Sequence, residues 1–362
     1  MLQNFSQANQ FTAIDIFAGG GGLTVGLKRA GFQVVGAVEI EPHAFATYKA
    51  NHPEVQAYKQ DVRTIRGEDL RACSPTNEVD LLSGCPPCQG FSSLTYRYRR
   101  ADPRNQLVLE MGRLVTEVQP RIVMMENVAG LPDRGKELFD EFIQHLKTLG
   151  YLPTWDVLQV ADYGVPQSRR RLVLLAGKGF PVDLPKPTHS RTGEDGLSPW
   201  KTLREAIGNM PKPHVLADIQ AAGGPLQFNW HVVRALSEMT IKRLQATKPG
   251  ESRMKIPVEL RPACHQHRTE GFNNVYGRLD WDQVCGTVTS GCTTVSKGRF
   301  GHPDEDRTIS VREAALIQTF PINYIFDTPY MDHVCEIVGN ALPCDFAEVV
   351  AQQCIKALDE YG

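Results

Sequence analysis

The sequence predicts an α/β protein: a Rossmann-like, mostly parallel sheet with helices on both faces, followed by a smaller irregular domain. Three observations carry that prediction. A strand, a glycine-rich loop, a helix and a second strand follow one another over residues 11–40. Further along, short apolar runs end in polar or reactive residues, the pattern of parallel strands buried on both faces. After Gly177 the texture changes to Pro- and Gly-rich chain with only short helical pieces.

Phe11 to Phe17 is the first strand, and Ala18-Gly19-Gly20-Gly21-Gly22 follows it. Leu23, Val25, Leu27 and Ala30 then recur at helical spacing until Gly31, a plausible stop. Phe32 to Ile40 is the second strand, with Glu39 and Glu41 at its end. Consecutive glycines let a backbone approach a ligand where any Cβ would collide. An acidic residue about 20 positions past such a loop suits a ribose diol, and Glu39 fills that place. Asp61 lies where a third strand, Gln56 to Gln60, should end, and can reach an adenine ring. The loop lacks strict Gly-x-Gly-x-x-Gly spacing and no Walker lysine follows, so alone it also fits nicotinamide and flavin enzymes.

Val79-Asp80-Leu81-Leu82 reads as another buried strand and runs into Gly84-Cys85-Pro86-Pro87-Cys88-Gln89. Two prolines remove two backbone donors and fix φ, so the chain leaves the strand in a stiff turn. That turn presents Cys88 at the carboxyl end of a strand, where open α/β sheets place their ligands. Leu107 to Gln119 has helical periodicity, and Pro120 to Met125 is a strand ending in Glu126-Asn127-Val128. Glu137 to Leu149 is an amphipathic helix stopped by Gly150; Tyr151 to Val160 and Arg171 to Ala176 complete the sheet. Trp200 to Met210, Ser310 to Phe320 and Asp345 to Leu358 are the later helical pieces. Asp15, inside the first strand, is expected to be a satisfied polar group.

The 362 residues suffice for one large α/β domain and a smaller one, with 41% hydrophobic and 22% charged residues. We expect residues 1–185, completed by 337–362, to form the larger domain and 186–336 the smaller. No apolar run reaches membrane-spanning length, and the polar start lacks a signal-peptide pattern, so a cytoplasmic protein is expected. Nine cysteines without framework spacing fit reduced thiols. The formal charge of −2 excludes a uniformly basic nucleic-acid binder, yet residues 186–300 hold 16 basic and 10 acidic residues, a formal +6 against −8 elsewhere. A basic segment beside an acidic body can hold a polyanion on one side.

Taken in order, Phe17-Ala18-Gly19-Gly20-Gly21, Pro87-Cys88-Gln89, Glu126-Asn127-Val128, Gln167 to Arg171, Arg312-Glu313 through Gln318-Thr319-Phe320-Pro321, and Val338-Gly339-Asn340 resemble the motifs of the cytosine-5 DNA methyltransferases. The likeness covers nearly the whole chain, and the short stretch before Phe11 suggests a prokaryotic-type modification enzyme. The resemblance implies S-adenosylmethionine as cofactor and double-stranded DNA as substrate, with a cognate restriction endonuclease as a further partner and a monomeric enzyme. It implies that the Cys88 thiolate adds to cytosine carbon 6, so that carbon 5 can take the methyl group. Glu126, protonated or sharing a proton, hydrogen-bonds ring nitrogen 3; Arg171 and Arg169 donate to the carbonyl oxygen; Asn127 helps to fix the turn. The target base must leave the stack to be reached. The cofactor set implied is Phe17 against adenine, the Gly19, Gly20, Gly21 and Gly22 backbone, Glu39, Asp61, Gly84 and Asn340. Tyr96-Arg97-Tyr98-Arg99-Arg100 is similar to a mobile loop that closes over the base.

Other readings stay open at this level. Cys85-x-x-Cys88 also fits half of a metal site or a redox pair, although no second Cys-x-x-Cys exists, and no metal is expected. Cys85 stands where most of the family shows glycine and reads as a tolerated small residue. An amino-methyltransferase would carry an aromatic where Cys88 stands. A tRNA-methylating relative and a non-catalytic DNA-binding regulator are the remaining rivals. Within 186–300, Arg253, Lys255, Arg261, His265 and Arg268 are candidate base readers, and His265-Gln266-His267-Arg268 reads as recognition surface rather than a metal site.

Overall fold

The structure is a computed structural model and describes residues 11–87, 103–266 and 273–361. Cys88, the Tyr96 to Arg100 tract, His267 and Arg268 lie outside the described residues. The chain divides into two compact units, one built from residues 1–159, 170–186 and 344–362, the other from 160–169 and 187–343.

The larger unit is built on a seven-stranded sheet of order β3-β2-β1-β4-β5-β7-β6. Its strands are β1 (Thr12–Ile16), β2 (Gln33–Glu39), β3 (Gln56–Lys59), β4 (Leu81–Gly84), β5 (Ile122–Val128), β6 (Tyr151–Gln159) and β7 (Arg170–Lys178). β1 to β5 pair in parallel, while β7 runs antiparallel to both of its neighbours. The sheet is therefore mostly parallel, as the unbroken apolar runs predict: every residue of β1 is buried.

Successive side chains of a strand point to opposite faces, and the two faces of β1 carry different neighbours. Ile14 and Ile16 join a core with Leu82, Val123, Met125, Leu172 and Leu174. That core takes in Val108, Met111, Leu114 and Val115 of the Leu107–Val118 helix, and Phe139, Phe142 and Leu146 of the Lys136–Thr148 helix. The opposite side chain of β1, Asp15, meets the Gly22–Ala30 helix by accepting from Thr24 Oγ1 at 2.7 Å. This helix packs closely on the Cys344–Tyr361 helix: a Cβ at Gly26 would stand 2.4 Å from Ala347 Cβ.

The smaller unit has little regular structure. It holds two short strand pairs and the helices Leu203–Ile207, Glu238–Gln245, Val311–Ile317 and Met331–Asn340. Capping boxes at Thr202/Glu205 and Ser310/Glu313 set the starts of two of these helices. Buried arginines replace the missing ladders. Arg278 donates to the carbonyls of Leu244, Thr247, His302 and Glu305. Arg312 donates to the Asn229 and Tyr324 carbonyls and lies over the Phe326 ring, and Arg307 pairs with the buried Glu313.

The units differ from the expected limits at residue 186, which joins the larger unit, and in two longer stretches. Residues 160–169 belong to the smaller unit because Ser168 N donates to Cys285 O, Cys285 N to Pro166 O, and Gln167 Nε2 to Gln318 Oε1. Residues 337–343 belong there too: Gln318 Nε2 donates to Val338 O, and Gly339 packs against the Thr289–Ser290 backbone, where a Cβ would come within 2.3 Å.

Candidate active site

The carboxyl ends of β1, β2, β4 and β5 gather most of the singled-out residues in the larger unit. After β1 the chain turns through Phe17 at φ 59°, Gly19 at φ 55° and Gly21 at φ 91°, a left-handed path that the two glycines, unlike Phe17, take without strain. At Gly19 a Cβ would meet nothing within 4 Å, so the loop lies open on that side. Gly21 caps the Gly22–Ala30 helix, whose first turn adds further amide donors. Glu39, at the end of β2, accepts from Gly19 N at 2.7 Å and from Glu41 N at 2.6 Å. Burial raises its pKa above the usual carboxylate value, against the pull of these amides. Asp61, past β3, is held by Arg63, whose guanidinium lowers its pKa.

Asp15 is only half satisfied, which corrects the expectation. Its Oδ2 accepts from Thr24, itself 3.0 Å from the Tyr48 hydroxyl, but among the described residues Oδ1 has no hydrogen-bond partner. Complete burial pushes its pKa up to about 7.

Gly84 ends β4 for a packing reason: a Cβ there would stand 2.7 Å from Ile16 Cγ1 and 2.8 Å from Ile16 O on β1. Next in the chain, Cys85 is half-buried, and the pairing of Gly84 with Met125 sets it beside Glu126. Burial first, then the Glu126 and Asp15 carboxyls, raise the Cys85 thiol well above its ordinary value. One step further, Asn127 Nδ2 donates to Pro86 O at 3.0 Å, and Asn127 Oδ1 accepts from Val128 N. Asn127 therefore ties the Cys-Pro-Pro turn to β5.

Glu126 is itself within β5, 7% exposed, opposite Val173 of β7. Arg171, opposite Val128 on the same face, donates from Nε to Glu126 Oε1 at 2.6 Å. Burial lowers the Arg171 pKa, and Glu126 opposes that shift. Arg169 lies in the smaller unit, donating to Val288 O at 2.8 Å and Gly339 O at 3.2 Å. Asn340, exposed at the end of the Met331–Asn340 helix, also belongs to that unit. Sequence reasoning missed two participants. Cys85 stood out only by its departure from the glycine of the resemblance, and the Asp15–Thr24–Tyr48 chain joins positions with no common motif.

Among the candidate readers, Arg253 is 1% exposed and donates to Asn273 Oδ1, while Arg261 donates to the Ile256 and Met254 carbonyls. Arg253 is thus buried in holding the loop, while Arg261 is half-buried with Nε and Nη2 engaged.

A Rossmann-like sheet with a glycine loop after β1, an acidic residue after β2, and a Cys-Pro-Pro turn tied beside a Glu–Arg pair defines a class of methyltransferase. The profile of the C-5 cytosine-specific DNA methylases matches residues 11–356, and the chain belongs to that family as a DNA (cytosine-5-)-methyltransferase. It is 37% identical over 352 residues to the type II methylase M.HgiDII of Herpetosiphon aurantiacus, covering 96% of this chain and 95% of that one. The type II methyltransferase M1.HphI of Haemophilus parahaemolyticus is 34% identical, with coverage of 95% and 87%. Among solved structures, the fold matches S. pombe Dnmt2 methyltransferase at TM-score 0.65 and 18% identity, over 97% of this chain and 99% of that one. A prophage-encoded DNA modification methyltransferase candidate of E. coli aligns at TM-score 0.73 and 23% identity, over 97% and 100%. Among the described residues, no helix is long and apolar enough to cross a membrane.

Proposed function

We propose that the enzyme transfers a methyl group from S-adenosylmethionine to carbon 5 of a flipped-out cytosine within a specific double-stranded DNA sequence. The observation that carries this reading is the buried Glu126–Arg171 pair, set on β5 and β7 beside the turn that begins at Cys85. Bound S-adenosylmethionine supplies an electrophilic methyl group on a sulfonium. Cys88, two prolines beyond Cys85, is the nucleophile that adds to cytosine carbon 6 and is later eliminated. Glu126 binds ring nitrogen 3 and drains charge as the thiolate adds. Arg171 fixes the Glu126 orientation through Nε, and with Nη1 donating to Arg170 O it has Nη2 to offer to the carbonyl oxygen of the base.

The residues present fit the cofactor. The open side of Gly19 and the amides of the first helical turn suit its amino-acid end, Phe17 its adenine, and Glu39 its ribose hydroxyls. Asp61 can reach the adenine amine by giving up Arg63, an exposed pairing that solvent screens and that is readily exchanged. Asn340 belongs to the same assignment through its motif. Arg169, bonded to two carbonyls, supports the Gln167 to Arg171 segment rather than the base itself.

We place DNA recognition in the basic stretch 186–300 and, from the names of the type II relatives, a restriction endonuclease of the same specificity as partner. The enzyme is proposed to act as a monomer in the cytoplasm. Bisulfite sequencing of plasmid DNA recovered after expression tests the reading directly. Protected cytosines should fall in one sequence context, and Cys88→Ser should remove them. DNA without any methylated context, from cells containing folded wild-type protein, would refute it. Exchanging 186–300 for the matching segment of a relative should change the context, and retention of the original one would move recognition elsewhere.

A further inference from the structure

We propose that Cys85 is a positioning residue for Glu126: its thiol donates to the Glu126 carboxyl and, together with Arg171 Nε, fixes that carboxyl at the end of the sheet. The inference rests on the proposed role of Glu126 and adds to it a second donor, unrelated to the nucleophile.

Strand register brings the two residues together. Gly84 on β4 is the partner of Met125 on β5 in a parallel pair, so the next position along each chain sets Cys85 beside Glu126. Paired positions share a face, and the face is known. Met125 and Leu82 join the core with Ile16 and Ile14, so Ser83, Met124, Cys85 and Glu126 turn the other way, toward the side where Asp15 meets Thr24. Arg171 stands on this face too, because it pairs with Val128, two residues beyond Glu126. The adjacency does not end at Cys85: the Asn127 amide bound to Pro86 O holds the turn against β5 one residue later. Cys85 is thus placed beside Glu126 by a ladder on one side and a side-chain clamp on the other.

The chemistry suits a donor rather than a second nucleophile. A thiol that remains protonated offers one S–H, and a carboxyl already bound by Arg171 at one oxygen still has lone pairs to accept it. Burial and the neighbouring carboxyls keep this thiol from ionising, the opposite of what an attacking thiolate needs. A carboxyl held by two donors cannot swing, and a swing of one torsion would lose its alignment with a ring nitrogen.

Full-length Cys85→Ala and Cys85→Ser are compared with wild type in methyl transfer from labelled S-adenosylmethionine to a plasmid the wild type methylates. Cys85→Ala should lower kcat about tenfold, the worth of one hydrogen bond, with KM for cofactor and DNA nearly unchanged. Cys85→Ser keeps a donor and should recover most of kcat. Wild-type turnover in Cys85→Ala, or a Ser variant as slow as the Ala variant, would overturn the proposal. A second measurement needs no activity: iodoacetamide modification of Cys85, followed by peptide mass mapping, in wild type and in Glu126→Gln. Removing the carboxylate should speed alkylation several-fold at pH about 8, since the thiol then ionises more readily. Equal rates would show that thiol and carboxyl do not interact. If the wild type transfers no methyl group to DNA, the proposed function fails, while the alkylation rates still decide whether Cys85 holds Glu126.

Discussion

Arg171 Nε donates to Glu126 Oε1 at 2.6 Å, with side-chain exposures of 16% and 8%. A pair this buried is costly to break from one side, because the survivor keeps its desolvation and loses its counter-charge. Glu126→Ala should therefore destabilise the protein by about 3–5 kcal/mol. Glu126→Gln, which keeps an acceptor for Arg171, should cost much less. Turnover follows a different order. Glu126→Gln cannot share a proton with ring nitrogen 3 and should lower kcat by at least about a hundredfold with DNA affinity preserved. Thermal melts and single-turnover methyl transfer on both variants check this. Equal stability of the two would show that Arg171 does not depend on the pair.

Asp15 makes stability depend on pH in an unusual direction. Its carboxyl is raised from 3.8 to about 7 by burial, so the folded state binds more protons than the unfolded chain between those values. This contribution is fully present below pH about 4 and is lost as pH rises through about 7. Its full extent is on the order of 4 kcal/mol. Urea unfolding from pH about 5 to 8 should show wild type losing stability relative to Asp15→Asn, which cannot ionise. Parallel curves for the two proteins would mean that Asp15 titrates normally.

Gly26 looks like a weakness in its helix, since alanine is preferred there by about 1 kcal/mol. The contact with the Cys344–Tyr361 helix reverses that preference. A Cβ would sit 2.4 Å from Ala347 Cβ and 2.6 Å from Glu348 N, neither of which can rotate aside. Overpacking of this kind costs about 1–3 kcal/mol, so Gly26→Ala should lower Tm by several degrees. A raised Tm would mean that the two helices can separate slightly without loss.

These cases show what a sequence exposes and what it hides. The glycine loop, Glu39 and the apolar strands were legible because each obeys a local rule: a turn needing φ above zero, an acid at a strand's end, burial on both faces. Gly26 was not, because its partner Ala347 lies far along the chain and no local pattern links them. Arg253, 1% exposed, is hidden from the sequence for a related reason. A charged residue in a basic segment reads as solvent-facing, but loops without ladders need donors for their carbonyls, and arginine supplies several from one side chain. Residues 160–169 fall inside the expected 1–185 domain, whereas hydrogen bonds to Cys285 and Gln318 decide their place.

The division of labour between the two cysteines of the turn gives the sharpest test. Cys88 lies between Pro87 and Gln89, whereas Cys85 follows Gly84 and stands beside Glu126. DNA carrying 5-fluorocytosine at the target should accept thiolate attack and methyl transfer but not elimination, since fluorine cannot leave as a cation. The adduct then persists and survives denaturing electrophoresis. Wild type and Cys85→Ser should both trap DNA in the presence of S-adenosylmethionine, and Cys88→Ser should not. Mass mapping of the trapped peptide should place the base on Cys88. An adduct that survives Cys88→Ser would assign attack to another nucleophile, and a trapped peptide mapped to Cys85 would make it an attacking group rather than a donor to Glu126.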